Sequence, residues 1–301
     1  MNKWNNFFTL YNEGLCAAYE RSMEMVTDEN QMRDSLFQEQ MKHMVLNSMQ
    51  AWYKKPFAQL GNQTPEQMID EIDTIEEAID KLKLAAALCD DDIPDYLKIK
   101  LGSFGQQAIV SLTQLALEKS WEEGCAKEEC PCESIQSASI ALKILGEWQV
   151  VKPVEEIIAK FISTDQLHEN IADAFKMYVL GVGEETIPYL VKALIDAYKQ
   201  DNPLEGAYEY LIIALTLVSE EAKSDDVFEC LRNCFRTMHH KVIGAICIGD
   251  YGDPRGIPAL KGYLDRNEGK FDRQEFYEIL SSIKRLGGTT SDIKDPFKDF
   301  S

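Results

Sequence analysis

Three cysteines, Cys125, Cys130 and Cys132, stand in a C-x4-C-x-C spacing within the stretch from Glu122 to Cys132. Thiolates this close could share a zinc ion, which takes four soft or borderline ligands. Only three are local and no histidine lies nearby, so an acidic surface loop without metal or cofactor is expected. His168 and Glu169 are a second candidate, but one such pair alone supplies too few ligands for a metal centre, and a solvent-facing pair is expected. His239 and His240 are a third. No carboxylate or thiol shares their helix face at metal spacing, and Lys241 makes the local field basic, so a partner-contact role is expected. Asp90, Asp91 and Asp92 precede Ile93-Pro94 as a loop with a helix cap, short of the spaced oxygen ligands that calcium needs. The sequence has no Gly-rich phosphate loop and no G-x-S-x-G elbow, and it supports no Ser/His/Asp arrangement. A non-enzymatic role is the expectation.

Charge narrows the partner. Lys plus Arg number 31 against 51 Asp plus Glu, a formal charge of -20. That balance disfavours nucleic acid, whose binding rests on phosphate neutralisation, and anionic membrane surfaces. Residues 230–301 carry twelve Lys/Arg and ten Asp/Glu, so the first 229 residues carry about -22. A protein or peptide with a basic surface is the expected partner. No apolar run approaches the roughly 18 residues that span a bilayer, and the start, Met1-Asn2-Lys3-Trp4, lacks a signal-peptide core. Cysteines such as Cys16 and Cys247 sit within helical patterns and read as buried thiols, so a cytoplasmic protein is expected.

The elements that would carry these residues are helices. Trp4, Phe7, Phe8, Tyr11, Leu15, Tyr19, Met23 and Val26 follow a 3.6-residue period and predict a helix over 3–27. A second runs to about Lys54, with Phe37, Met41, Met44, Val45 and Trp52 on its face and Pro56 ending it. Thr64-Pro65-Glu66-Gln67 is a capping box with proline at the first helical position. From Ile75 six helix pairs follow. First helices are predicted over 75–88, 106–119, 149–163, 184–198, 223–236 and 254–266, and second helices over 94–104, 133–146, 165–182, 203–218, 238–250 and 271–287. Gly105, Gly146, Gly183, Ser219, Gly252 and Gly287 close the units, at gaps of 41, 37, 36, 33 and 35. Ile187-Pro188-Tyr189-Leu190 recurs two units later as Ile257-Pro258-Ala259-Leu260. The fold class expected is all-α: an α-solenoid of about six pairs over 73–288, an N-terminal helical cap over 1–72 and a polar tail over 289–301. Phe297 and Phe300 are expected to fold back over the last unit.

The run Gly252-Asp253-Pro254-Arg255-Gly256-Ile257-Pro258-Ala259-Leu260, with Gly183 to Leu190 as its second copy, resembles HEAT-like repeats of the phycobilisome-lyase type. The resemblance implies second helices on a concave side, and contacts from the residues that open them: Glu133, His168, Glu169, Glu205, Tyr208, His239, His240 and Arg273. HEAT-like deoxyhypusine hydroxylases place His-Glu at several such openings, whereas the corresponding positions here are Cys132, Glu169, Glu205, Met238 and Arg273. Only Glu169 follows a histidine. Cys130-Pro131-Cys132 is similar to the opening of the SEC-C zinc motif, without its later ligands. Trp52, Pro56, Leu60, Gly61, Thr64 and Pro65 resemble the toxin-binding segment of Xre/MbcA/ParS-type antitoxins over residues 52–69, while the same residues also serve as a plain helix-turn-helix junction. The expected function is an interaction scaffold or adaptor. The alternatives are an immunity- or antitoxin-type inhibitor of a basic toxin or nuclease, and an enzyme on a HEAT-like scaffold. A bilin lyase lacks a recognisable active-site set, and a DNA glycosylase is disfavoured by the charge.

Overall fold

The computed structural model describes residues 2–89, 92–118, 121, 133–200 and 204–297, without the side chains of Glu29, Asn30, Glu118, Glu133 and Ser134. The regular structure of those residues is helical, with one isolated bridge between Phe57 and Gln63 and no strand among them. They form two compact units. One comprises residues 1–115 with 129–140, the other 116–128 with 141–301.

In the first unit, α1 (Lys3–Met23) pairs with α2 (Ser35–Tyr53). The indole of Trp52 packs edge-on against Phe7 and Tyr11, with ring centroids 5.8 Å apart in each case. Gly14 lets it in, since a Cβ there would lie 2.8 Å from the indole. Phe7 and Phe8 are fully buried. The end of α2 is tied down by Leu60, also fully buried, and by left-handed Gly61. Thr64 and Gln67 then form the expected capping box of α3 (Pro65–Asp70). Next come α4 (Ile75–Leu88), α5 (Asp95–Ser103), α6 (Gln106–Glu118) and α7 (Glu133–Glu147). The division between the units falls inside α6 and α7.

The second unit continues with α8 (Val154–Ile162), α9 (Glu169–Val182), α10 (Ile187–Lys199), α11 (Ala207–Val218), α12 (Asp225–Thr237), α13 (Lys241–Tyr251), α14 (Ile257–Arg266) and α15 (Arg273–Arg285). In one layer α10 lies against α8 and α12; in the other α11 lies against α9 and α13, and α13 against α15. The two Ile-Pro copies have one local structure. Both α10 and α14 are entered through a 3-10 turn, carry proline in their first turn, and bury a leucine pair one turn apart, Leu190 with Leu194 and Leu260 with Leu264.

Several expectations change, and Cys16, read from the sequence as a buried thiol, is exposed. Gly146 does not close its unit, because α7 runs on to Glu147. The left-handed closing residue is Gln149, at φ 54, and the amides of Gln149 and Val150 donate to the carbonyls of Gly146 and Leu145. That is the hydrogen-bond pattern of a Schellman stop with glutamine where glycine is usual. A side chain in the left-handed region costs about 1 kcal/mol. Gln149→Gly is therefore expected to stabilise the unit by about 0.5–1 kcal/mol in urea unfolding; a loss of stability would show that the Gln149 side chain makes a compensating contact. The tail is also more tightly held than its polarity suggests. Lys261 pairs with Asp292 at 2.8 Å, Tyr277 Oη donates to Asp295 at 3.0 Å, and Phe297 packs on Phe276 and Tyr277. Phe300 lies outside the described residues.

Candidate functional site

The residues that open the second helices of the second unit are mostly spent on local structure or on each other. His168 is the N-cap of α9. Its Nδ1 accepts from the Asn170 amide at 3.1 Å, which puts the proton of the neutral ring on Nε2. Its own amide donates to the Trp121 carbonyl at 2.9 Å. A ring used as a cap turns its inner nitrogen away from any ligand. Glu169 is exposed in the first turn of α9, where the helix dipole favours a carboxylate.

Glu205 and Glu209, before and within the first turn of α11, meet the two histidines before α13. Glu205 lies 3.6 Å from His239 Nε2, and Glu209 contacts His240 Nδ1. The basic field expected around His239 and His240 is thus corrected. Carboxylates arrive from the neighbouring helix, and the Lys241 charge is directed elsewhere. Lys241 Nζ donates to the carbonyls of Phe235 and Arg236 at 2.8 and 2.9 Å, closing the end of α12. It also sits 5.6 Å from the ring centres of Phe235 and Tyr263, and burial lowers its pKa. Sequence reasoning missed Glu209, although it stands one helical turn after Glu205.

Three other candidates lie apart. Tyr208 is half-buried and lines a 260 Å³ cavity with Ile158 of α8 and Tyr189, Lys192 and Asp196 of α10, on the first-helix layer. Arg273 is exposed at the start of α15, after the Asp272 cap. Glu133 opens α7 in the first unit, and its side chain is outside the described residues, as are Cys125, Cys130 and Cys132. Among the described residues no group of three or more His, Cys, Asp or Glu is arranged to hold a metal ion. None of the described helices is long and apolar enough to cross a membrane.

The feature that sequence reasoning did not find is apolar. On α9, Met177 and Leu180 are 52% and 39% exposed; on the adjacent α11, Tyr210 and Leu217 are 40% and 42% exposed. Within each helix the pair shares one face by its spacing of three or seven residues. Ile213, between Tyr210 and Leu217, is half-buried, as are Val242, Ile243 and Ile246 on α13. The signal was present in Ala207–Val218, where Glu209 is the single charged residue. A helix apolar all round has no polar face to give to solvent. Asp173 on α9, and Glu169 and Glu205 at the helix openings, are exposed carboxylates of the same two helices and their caps. An apolar strip with acidic residues around it can bind another protein. Compared with models of known families, with curated proteins and with solved structures, the chain matches none.

Proposed function

We propose that this chain is a non-catalytic interaction scaffold, an α-solenoid of about six HEAT-like pairs with an N-terminal helical cap. Its second-helix side, the concave side of such an array, takes a protein or peptide with a basic rim around apolar side chains. The observation that carries this reading is the exposure of Met177, Leu180, Tyr210 and Leu217 on adjacent helices. Large apolar side chains grouped on a surface mark an interaction site, whereas single ones need no explanation. The alternating layers of the second unit, α8–α10–α12 and α9–α11–α13–α15, support the HEAT-like arrangement. The -20 charge supports a basic partner, drawn in by the field. The free thiols Cys230, Cys234 and Cys247, buried in α12 and α13, favour a reducing, cytoplasmic setting. An inhibitor of a basic toxin or nuclease would use the same face, and the compact Trp52–Ile69 junction keeps that second reading in play.

The experiment isolates the partner by affinity capture and then measures variants by calorimetry. Met177→Asp with Leu217→Asp is expected to weaken binding at least tenfold, about 1.4 kcal/mol. Glu169→Lys with Glu205→Lys is expected to do the same and to reduce the salt dependence, because rim charges act largely through encounter. All four residues are exposed, so the helical circular dichroism should not change. Wild-type affinity in both double variants, with intact spectra, would remove the second-helix side from the reading.

A further inference from the structure

The first unit holds a second apolar surface. Six of the thirteen large apolar residues exposed in the described chain fall between Tyr19 and Leu46. The stripe of α1 is buried at Phe7, Phe8 and Tyr11, then continues through Tyr19 and Met23, which are half exposed. Nothing in the described unit covers this half of the stripe.

Beside it lies a groove of 680 Å³ between α1, α2 and the start of α5. Leu15 and Tyr19 form one wall, and Met41, Val45 and Met49 the other. The floor at one end is made by Tyr11 and Tyr53, whose hydroxyls burial keeps protonated. Along α2 the lining runs from Gln38 to Tyr53, about 22 Å at the helical rise, the length of a four-turn helix. Methionine side chains adapt to a partner's shape at small cost in torsional energy. The apolar surface also runs past the cavity, to Met23, Met25 and Leu36, which a small ligand would leave bare.

The two ends differ in charge. Asp92 and Asp95 line the Tyr53 end, and both reach a single ammonium, Lys98, at 3.5 and 3.6 Å. One ammonium balances one carboxylate, so a negative charge is left over there. Lys42 lines the groove about three helical turns before Tyr53 along α2. The occupant is thereby oriented: its basic group belongs at the Asp92–Asp95 end.

We infer that this groove docks an amphipathic helix of a partner protein, with an apolar face about four turns long and a Lys or Arg at one end. This is the helix-in-groove mode of recognition, in which apolar anchors supply affinity and a terminal charge sets direction. The site lies wholly in the first unit and does not depend on the second-helix surface proposed above.

The probe is a synthetic helical peptide of about 16 residues with a Leu/Met face, Ala and Gln elsewhere, and two Lys at one end. Two further peptides replace those Lys by Glu, or shuffle the sequence. Fluorescence anisotropy with the full chain should show saturable micromolar binding of the Lys peptide. The Glu peptide should bind at least about tenfold more weakly, and the shuffled one not measurably. Leu46→Asp and Met32→Asp, at exposed positions of the groove, should each reduce binding of the Lys peptide about tenfold, while Val110→Asp, exposed on α6 and outside both proposed surfaces, leaves it unchanged. Equal binding of the Lys and Glu peptides, or wild-type binding by both groove variants, would overturn the inference. So would concentration-dependent dimerisation that Leu46→Asp abolishes, because the occupant would then be a second copy of the chain.

Discussion

Trp121→Ala is expected to destabilise the second unit by about 3–5 kcal/mol, the usual cost of deleting a large buried aromatic. The ring is 1% exposed. It packs edge-on to Phe161, which stacks on Phe175 of α9 at 3.9 Å between ring centres. Its Nε1 donates to the Ala116 carbonyl at 2.9 Å, and the Lys160 ammonium lies 4.7 Å over it. Removing the indole therefore opens a cavity beside α8 and α9 and strips Lys160 of its ring. Trp121→Phe separates the contributions: it keeps apolar contact and loses one hydrogen bond, so about 1 kcal/mol or somewhat more is expected. The effect should extend to the proposed binding face, because the Trp121 carbonyl receives the amide of His168, which caps α9. Hydrogen exchange of the first amides of α9 should speed up in the alanine variant. Urea unfolding within 1 kcal/mol of wild type would show that this ring is not part of the core that positions α9.

Helices were legible in the sequence because their signals are local. Thr64 and Gln67 stand three residues apart, and the Ile-Pro copies carry their own start signal. The helix predicted from residue 165 starts instead at Glu169, since His168 supplies the cap. The one predicted from 149 starts at Val154, since Gln149 turns left-handed and Pro153 takes the cap position. The candidate surfaces were less legible, for a physical reason. Periodicity reports which residues are apolar, not whether a neighbour covers them. Tyr19 and Met23 continue the phase of Phe8 and Tyr11, yet only the earlier residues meet a partner. In α11 both faces are apolar, so the pattern has no contrast from which to read a solvent side. The Glu205–His239 and Glu209–His240 pairs join residues thirty-odd positions apart, and only the packing of α11 beside α13 brings them together. Gly146 was misassigned because a glycine near a helix end fits two roles, a left-handed stop and a close crossing, and sequence position does not separate them.

That second role makes the sign of a Gly181→Ala change informative. Gly181 lies within α9, one residue before its last, where alanine would normally gain about 0.5–1 kcal/mol over glycine. Here a Cβ would sit 2.6 Å from the carbonyl carbon and oxygen of Gly146, backbone atoms that cannot swing aside. The crossing is tight from the other side as well, since a Cβ on Gly146 would lie 2.8 Å from the Tyr178 Cα. Either methyl must push α7 and α9 apart, and overpacking of this kind costs about 1–3 kcal/mol. Parting them also strains the bond from Tyr178 Oη to the Val150 carbonyl, 2.8 Å, which holds the connection after α7. Gly181→Ala is therefore expected to destabilise, and Gly146→Ala likewise. The double variant should cost clearly less than the sum, because the first methyl already opens the space that the second needs. Met177 and Leu180 stand on α9 next to this crossing, so the single variants should also weaken partner binding without touching a contact residue. Stabilisation by Gly181→Ala in urea unfolding would mean that α7 and α9 do not meet backbone to backbone and that the register of the proposed binding face is set elsewhere.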